Sequence, residues 1–173
     1  MVEGRNTVTL EDLLIHREGV FRICLGFARD YAEAEDLAQE VYLKAHRGLA
    51  ALKNPATARD WLFRIARNTC LDHARTSRLR RMLLFRFVRP AAATLPDGDD
   101  APAGDPRLAL LKSAVLSLPP KLREAFVLRE YAHLSYEDIG RTLGLRPGTV
   151  MSRLNRARTS VAQKLQESRH EEH

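Results

Sequence analysis

The chain has 173 residues, of which 45% are hydrophobic and 29% are charged, and its formal net charge is +6. This length and hydrophobic content exclude a wholly disordered chain and allow one domain or two small ones. The excess of basic residues favours a polyanionic partner but does not identify it.

The cysteines and the N-terminus exclude further classes of protein. Cys24 and Cys70 stand apart, without a Cys-x-x-Cys pair and without histidines at metal-ligand spacing, so we expect two buried structural thiols in a reducing compartment. The N-terminus lacks the apolar core of a signal peptide, and no apolar run approaches the roughly 18 residues that span a bilayer. We therefore expect a cytoplasmic protein without membrane insertion, metal or cofactor.

Two helices are predicted before the first break in the pattern. Thr9 and Asp12 form a capping-box pattern that opens a helix over residues 10–29. Apolar residues at every fourth position predict a second helix over residues 33–49. Asn54 and the proline after it then interrupt the periodicity.

A third helix is predicted to follow this break. Thr57 and Asp60 repeat the capping-box pattern, and the helix extends to about residue 77. Residues 80–90 mix cations with Leu and Phe and either extend the third helix or pack over it.

An acidic connector separates two basic parts of the chain. Residues 1–90 hold 16 Lys/Arg and 11 Asp/Glu, and residues 107–173 hold 12 and 7. Residues 91–106 hold four aspartates and no basic residue, and they are rich in Pro, Gly and Ala, which is typical of a flexible linker. We predict an N-terminal domain over 1–79, a linker over 80–107 and a C-terminal domain over 108–173.

The C-terminal part carries clear start and stop signals for helices. Pro119-Pro120 opens one helix, and Ser135 with Asp138 caps the next. Gly144 stands where a helix end favours a left-handed residue, and Pro147 suits the first turn of a final helix. No strand alternation is evident, so the predicted fold class is all-α, with two small helical bundles.

The corner between the last two helices is typical of a helix-turn-helix. Val150, Leu154, Val161 and Leu165 form the inward stripe of the final helix. Its outward side chains are Thr149, Met151, Ser152, Arg153, Asn155 and Arg156. A helix of this kind fills the major groove of DNA and offers its first turns to base edges. An ordinary helical hairpin with a solvated cationic face remains the alternative.

The second and third helices each carry a polar face. Asp36, Gln39 and Glu40 share one face of the second helix, bordered by Tyr42 and Leu43, which suits either solvent or a basic partner helix. The third helix places one set of side chains outward as a cationic strip: Arg64, Arg67, Asn68, Leu71, Arg75 and Arg78. Such a strip binds a phosphate backbone, but these residues do not decide between duplex and single-stranded DNA.

Three segments in this order resemble the extracytoplasmic-function (ECF) group of bacterial sigma factors, in the sigma-70 family. They are EDLAQEVYLKAHRGL, WLFRIARNTCLDHAR and LPPKLREAFVLREYAHLSYEDIGRTLGLRPGTVMSRLNRAR. The resemblance covers about residues 10–166 except the linker. It implies a non-enzymatic subunit that binds core RNA polymerase, directs it to promoters and helps to open the −10 region.

The resemblance also implies roles for individual residues. Asp36, Gln39 and Glu40 match the segment that docks on the clamp helices of the polymerase β′ subunit, while the C-terminal domain meets the β flap. The residues implied in binding the single-stranded −10 element are Leu52, Lys53, Asn54, Arg64, Arg67, Asn68, Asp72 and Arg75. Those implied in binding the duplex −35 element are Arg146, Thr149, Met151, Ser152, Arg153, Asn155 and Arg156. The linker takes the place of the connector that threads through the polymerase.

Four positions depart from the family pattern. Met151 stands where Lys or Arg is typical, and Asn155 where His is frequent. Arg146 replaces a common N-cap Ser, and Gly140 replaces a usual Ala at a cost of up to about 1 kcal/mol of helix propensity. The promoter sequence is therefore not readable from the chain, and neither are the inducing signal and the regulon.

Two other functions fit parts of the sequence. A dimeric helix-turn-helix regulator would bind duplex DNA tightly without polymerase, whereas a sigma factor should bind free promoter DNA poorly. A helical protein-interaction module with a basic surface fits the composition but leaves the three ordered segments unexplained. The family resemblance also implies an anti-sigma partner, soluble or membrane-bound, which the chain does not identify.

Overall fold

The computed structural model describes residues 8–52, 54–87 and 106–171, and within these ranges the chain is helical without a strand. The prediction of an all-α fold is confirmed. The helices are α1 (Leu10–Leu14), α2 (Arg17–Phe27), α3 (Tyr31–Gly48), α4 (Ala58–Phe87), α5 (Pro106–Ser117), α6 (Pro120–Glu130), α7 (Tyr136–Leu143) and α8 (Pro147–Glu171). Lys53 and the predicted linker segment 91–105 lie outside the described residues. None of these eight helices is both long and apolar enough to cross a membrane.

The N-terminal bundle forms around α2, α3 and α4, which pack against one another. Their inward faces bury Ile23, Leu37, Val41 and Leu62 almost completely. The apolar spacing of three and four residues along each helix places these side chains on one face, and burying that face is what stabilises the bundle.

The prediction of one helix over residues 10–29 is wrong, because the chain turns at Ile15 and His16 between α1 and α2. The amide of His16 donates to the carbonyl of Leu13 at 3.0 Å, three residues back instead of four. This turn lets both Leu13 and Val20 reach the core, while Ile15 is 77% exposed. The capping box of Thr9 and Asp12 at the start of α1 is confirmed.

The capping box predicted for α4 is absent. The Thr57 hydroxyl donates to the carbonyl of Asn54 at 2.9 Å, and a short 3₁₀ turn over Pro55–Thr57 leads into the helix. The Asp60 carboxylate instead binds the side chains of Arg59 and Arg141. Helix α4 then continues to Phe87, so residues 80–87 extend the third helix.

The C-terminal bundle packs α5, α6 and α7 against α8. Its core includes Val115, Leu128, Ile139, Val150 and Leu154, all fully buried. Helix α8 therefore turns the predicted apolar stripe inward and leaves its first turns at the surface.

The predicted helix-turn-helix corner is confirmed. The Ser135 hydroxyl accepts from the amide of Asp138 at the start of α7, and Gly144 ends that helix in the left-handed conformation, with φ 66°. A Cβ at Gly140 would lie 2.8 Å from the carbonyl oxygen of Leu145. The departure from alanine at Gly140 is therefore explained by the close approach of the turn to α7.

Alanine at Gly144 is expected to lower the free energy of unfolding by about 1 kcal/mol, because only glycine adopts a positive φ at little cost. Open space surrounds the added Cβ, so the loss reports backbone strain alone. Urea unfolding followed by circular dichroism measures it. Gly148→Ala is the matched control, since its Cβ also meets open space but the residue lies in the first turn of α8. Equal losses from the two substitutions would contradict this assignment.

The two bundles are packed against each other. Helix α2 contacts α5 and α6, and α4 contacts α7. Leu71, which was predicted to face outward on α4, is only 8% exposed, so that prediction is wrong. Helical periodicity correctly identified which face of α4 points away from the N-terminal core. It could not show that the C-terminal bundle covers part of that face.

Candidate nucleic-acid interface

The polar face of α3 is accessible. Asp36, Gln39 and Glu40 are exposed, while Leu37 between them is buried. Glu40 pairs with Lys44 at 2.7 Å along the same helix, and the exposed Leu43 adds an apolar group beside it. The helix thus presents two carboxylates and an amide beside one exposed leucine, a surface suited to a basic partner helix.

The cationic strip of α4 is divided between solvent and the C-terminal bundle. Arg64, Asn68, Asp72 and Arg75 are exposed on the side that the sequence predicted. Arg75 pairs only loosely with Asp72, at 3.4 Å. Before the helix, Asn54 is exposed and Leu52 is half-buried; Lys53 is not among the described residues.

Arg67 contacts the C-terminal bundle, and only 25% of its side chain stays exposed. Its Nε and Nη2 both donate to Oε2 of Glu124 on α6, at 2.9 and 2.6 Å, and its Nη1 donates to Oδ1 of Asn68 at 2.9 Å. The Glu124 side chain is only 6% exposed. A charged pair this short and this sheltered is weakly screened by salt.

A second ionic contact joins the start of α4 to α7. Arg59 pairs with Asp138 at 2.6 Å, Arg141 pairs with Asp60 at 2.9 Å, and Arg141 also pairs with Asp138 along its own helix. Arg64 Nη2 donates to the carbonyl of Arg141 at 3.3 Å. The four-charge cluster therefore consists of Arg59 and Asp60 from the N-terminal bundle and Asp138 and Arg141 from the C-terminal bundle.

Sequence reasoning missed the charged residues of this contact. Asp60 was interpreted as part of a capping box, and Arg59, Glu124 and Arg141 were assigned no role. Partners such as Asp60 and Arg141 are 81 positions apart, and no local pattern connects them. The one available signal was that Glu124 lies within the apolar run of α6, which is unusual for an unpaired carboxylate.

The four-charge cluster is expected to weaken in acid. Burial alone would raise the pKa of Asp138, but its hydrogen bond with Ser135 and the guanidinium groups of Arg59 and Arg141 outweigh burial and hold that pKa below its ordinary value. A carboxylate with a lowered pKa stabilises the fold above the pKa of the unfolded chain and loses that effect as pH falls through its own pKa.

The Asp138→Asn variant tests this expectation through its thermal midpoint. The midpoint difference between the native chain and the variant should be constant above about pH 5 and shrink below about pH 4. Glu137→Gln changes an exposed neighbour by the same charge and should show no such shrinkage. A difference for Asp138→Asn that stays constant down to pH 2 would refute the role of this carboxylate.

The first turns of α8 are accessible at the surface. Arg146, Thr149, Met151, Ser152, Asn155 and Arg156 are exposed, and Arg153 is half-buried. Behind them, Arg158 pairs with Glu130 of α6 at 2.7 Å, which helps to hold α8 in place. The helix-turn-helix thus offers a polar, cationic surface of the size that enters a major groove.

The two cysteines lie in the core of the N-terminal bundle. Both are reduced and buried, with 3.8 Å between the Sγ atoms. The hydrogen bond with Cys24 and burial raise the pKa of Cys70 well above its ordinary value, which makes its thiolate scarce. Buried structural thiols were predicted, and this is what the geometry shows. Within the described ranges, no three His, Cys, Asp or Glu side chains are grouped to hold a metal.

Two family models match the chain in order. The model described as "Sigma-70 region 2" matches residues 14–80, which hold the α3 face and most of α4. The model described as "Sigma-70, region 4" matches residues 108–161, which hold the helix-turn-helix.

Curated relatives match over most of this chain. The RNA polymerase sigma-H factor of Pseudomonas aeruginosa is 33% identical over 174 residues, covering 90% of this chain and 86% of the relative. The ECF RNA polymerase sigma factor SigM of Mycobacterium tuberculosis is 31% identical over 150 residues, covering 87% and 73%. The ECF RNA polymerase sigma factor SigE of Mycolicibacterium smegmatis is 38% identical over 157 residues, but the match spans only 57% of that relative's length.

Solved structures share the same arrangement of helices. One is the sigma factor RpoE in complex with the anti-sigma factor NepR from Bartonella quintana, with a TM-score of 0.67 and 28% identity over 90% of this chain and 95% of that one. Another is CnrH in complex with the cytosolic domain of CnrY, with a TM-score of 0.63 and 26% identity over 90% and 85%.

Proposed function

The chain belongs to the ECF group of the sigma-70 family, and from this premise we propose that it binds core RNA polymerase and directs it to specific promoters. The observation that carries the proposal is the pair of region models, matched in order, each holding one accessible candidate surface. The proposed subunit has no catalytic chemistry of its own, since its role is to position polymerase and DNA. It would act on the chromosome, which places it in the cytoplasm.

The proposed polymerase contact is the α3 face. Asp36, Gln39 and Glu40 project from one rigid helix whose opposite side is locked in the core, so they can meet a basic helix without rearrangement. We propose the clamp helices of the β′ subunit as that partner, with the C-terminal bundle placed on the β flap.

The proposed promoter contacts divide between the two bundles. The exposed turn of α8 reads the −35 element as duplex, and the α4 strip with the loop before it holds the single strand of the −10 element. Met151 is 51% exposed where the family typically carries a cation. We propose that it touches a thymine methyl and that fewer counterions are released at this position.

An anti-sigma factor, soluble or membrane-bound, is a further proposed partner. One solved neighbour is a sigma factor in complex with the anti-sigma factor NepR, and the other, CnrH, is in complex with the cytosolic domain of CnrY. The fold of this chain matches both over 90% of its length. The two neighbours differ in their partners, so the likeness supports the class of partner without identifying it.

Replacing Asp36 with Arg and Gln39 with Ala is expected to abolish co-elution with sigma-free core RNA polymerase on a sizing column. The change places a cation on the surface that we propose meets basic residues, and like charges at an interface cost several kcal/mol. Glu35→Arg is the matched control, because it makes the same charge reversal at an exposed neighbouring position of α3. The control should still join the core.

Either of two outcomes would refute the proposal. One is a native chain that does not bind core polymerase but elutes as a dimer and shifts duplex DNA, which would indicate the dimeric regulator instead. The other is a native chain that binds neither core polymerase nor DNA, which would indicate a protein-interaction module.

A further inference from the structure

We propose that a cavity between the two bundles binds an organic diphosphate, with arginines of both bundles on its phosphoryl groups and an apolar wall against the rest of the molecule. The cavity has a volume of about 490 Å³, which lies within the range of small-molecule sites. This inference goes beyond promoter recognition, because it concerns a small molecule bound by the free chain without polymerase or DNA.

Both bundles contribute to the walls of this cavity. The N-terminal bundle supplies the end of α2, the first turn of α3 and side chains between residues 71 and 78 of α4. The C-terminal bundle supplies residues 116–120, where α5 ends and α6 begins, together with Arg123 of α6. A molecule bound in the cavity therefore contacts both bundles at once.

The cavity carries an excess of positive charge. The carboxylate of Glu33 lines it together with four arginines, which are Arg29, Arg75, Arg78 and Arg123. Both oxygens of Glu33 are already engaged, since Oε1 lies 2.7 Å from Nε2 of His73 and Oε2 accepts from the amide of Arg29 at 2.5 Å. Arginine presents paired N–H donors in a geometry that phosphoryl oxygens accept. The lining therefore favours a phosphorylated ligand over a neutral or cationic one.

Arg123 gives an independent indication of an anionic ligand. Its Nη2 donates to the main-chain carbonyls of Leu116 and Leu118, while its buried Nε has no acceptor in the part of the chain that the structure describes. Burial lowers the pKa of Arg123, and no carboxylate of the described residues offsets this effect. A sheltered cation without a counter-charge is costly. An anion in the cavity supplies that charge.

An apolar wall lies beside the arginines. It is formed by Leu71 of α4 and, from the turn between α5 and α6, by Leu116, Leu118, Pro119 and Pro120. Inorganic phosphate leaves such a wall in contact with water, whereas an organic body covers it. Two phosphoryl groups offer enough oxygens for the arginines of both bundles. These two features together lead to an organic diphosphate instead of a simple anion.

Close packing around the cavity holds its walls in place. A Cβ added at Gly26 of α2 would lie 2.5 Å from a methyl group of Val127 on α6, and Val127 itself is fully buried. Lys112 of α5 donates to the carbonyl of Leu25. Elements packed this tightly keep their relative positions. The cavity is therefore preformed, and binding requires little ordering of the chain.

Calorimetric titration of the full chain tests the site with three compounds: inorganic pyrophosphate, ADP and geranyl diphosphate. All three carry two phosphoryl groups, but only the last two have a body that can cover the apolar wall. At least one of them should bind about tenfold more tightly than pyrophosphate. The one that does so distinguishes a nucleoside from an isoprenoid body, and it should also raise the thermal midpoint of the chain.

The charge of the cavity is tested with Arg29→Gln, Arg78→Gln. This double variant removes two exposed guanidinium groups from the lining and should weaken the binding of the preferred compound by about tenfold or more. Arg17→Gln, Arg47→Gln is the matched control, because it removes two exposed cations of the same bundle that do not line the cavity. Its affinity should stay native.

The volume of the cavity is tested without changing any charge. Ala74 of α4 is half-buried in the lining, so Ala74→Phe fills part of the space and should abolish binding. Ala162→Phe makes the same change at an exposed position of α8 and should bind as the native chain does. Circular dichroism of each variant confirms that the helices remain formed.

Four results would overturn the inference. They are a native chain that binds none of the three compounds, pyrophosphate binding as tight as that of both organic diphosphates, an equal loss in the control pair, and native binding by Ala74→Phe. Each is measured without polymerase, so the outcome is independent of co-elution with core polymerase. A chain that binds the diphosphate but does not join the core would refute the proposed function alone.

Discussion

Alanine at Arg64, Arg67 and Arg75 together is expected to weaken the binding of polymerase holoenzyme to a pre-melted bubble template by about 100-fold at 0.1 M salt. Each phosphate contact on single-stranded DNA contributes about 0.7 to the slope of log affinity against log salt. Three lost contacts therefore lower the slope by about 2, which corresponds to roughly two decades between 1 M and 0.1 M salt. A titration over a series of salt concentrations measures both quantities.

The bubble experiment requires the holoenzyme, because in the free chain Glu124 holds Arg67. The control triple is Arg17→Ala, Arg47→Ala, Lys121→Ala, which removes three exposed cations outside the strip. Its slope should stay native. If the strip variant keeps the native slope, or if the control loses as much, α4 is not the surface that holds the strand.

Alanine at Leu154 is expected to lower the free energy of unfolding by about 2–5 kcal/mol, the range for large-to-small changes in a packed core. Leu154 lies on the inward stripe of α8 and is fully buried. Removing its side chain leaves a cavity between α8 and the helices packed on it, and the loss combines the transfer free energy with that cavity. Urea unfolding measures the change.

The control for Leu154 lies three positions earlier on the same helix. Met151→Ala truncates a side chain that is 51% exposed, so its stability should stay within about 0.5 kcal/mol of native. The only tryptophan, Trp61, lies on α4 in the N-terminal bundle. Its fluorescence therefore reports that bundle, while circular dichroism reports both. Equal losses from the two substitutions would contradict the assignment of inward and outward faces.

Local signals in the sequence predicted the helices where caps and periodicity agreed. Ser135, Gly144 and Pro147 mark the corner between α7 and α8 through short-range hydrogen bonds and φ preferences, so no distant residue is needed to place it. The same reasoning failed at His16, where the turn between α1 and α2 depends on how Leu13 and Val20 reach the core. It also failed at Thr57, because the Thr57 hydroxyl donates to the carbonyl of Asn54 and forms no capping box with Asp60.

The outward direction of the candidate surfaces on α3 and α8 could also be predicted from the sequence. The periodicity of α3 and α8 placed Asp36 and the first turns of α8 outward, and the structure leaves both exposed. The roles of these residues in binding polymerase and promoter DNA stay predictions. So do the domain boundaries at 79 and 107. Helix α4 runs past the first of them to Phe87.

The sequence by itself determined the all-α class, the two bundles, the family and the outward faces of α3 and α8, because these depend on residue spacing within single helices. Only the tertiary structure decided that the strip of α4 is partly covered. Arg67 and Glu124 are 57 positions apart and carry opposite charges on separate helices. Their pairing depends on how the two bundles pack, which is set by contacts such as that of Gly26 with Val127 and by no pattern along the chain.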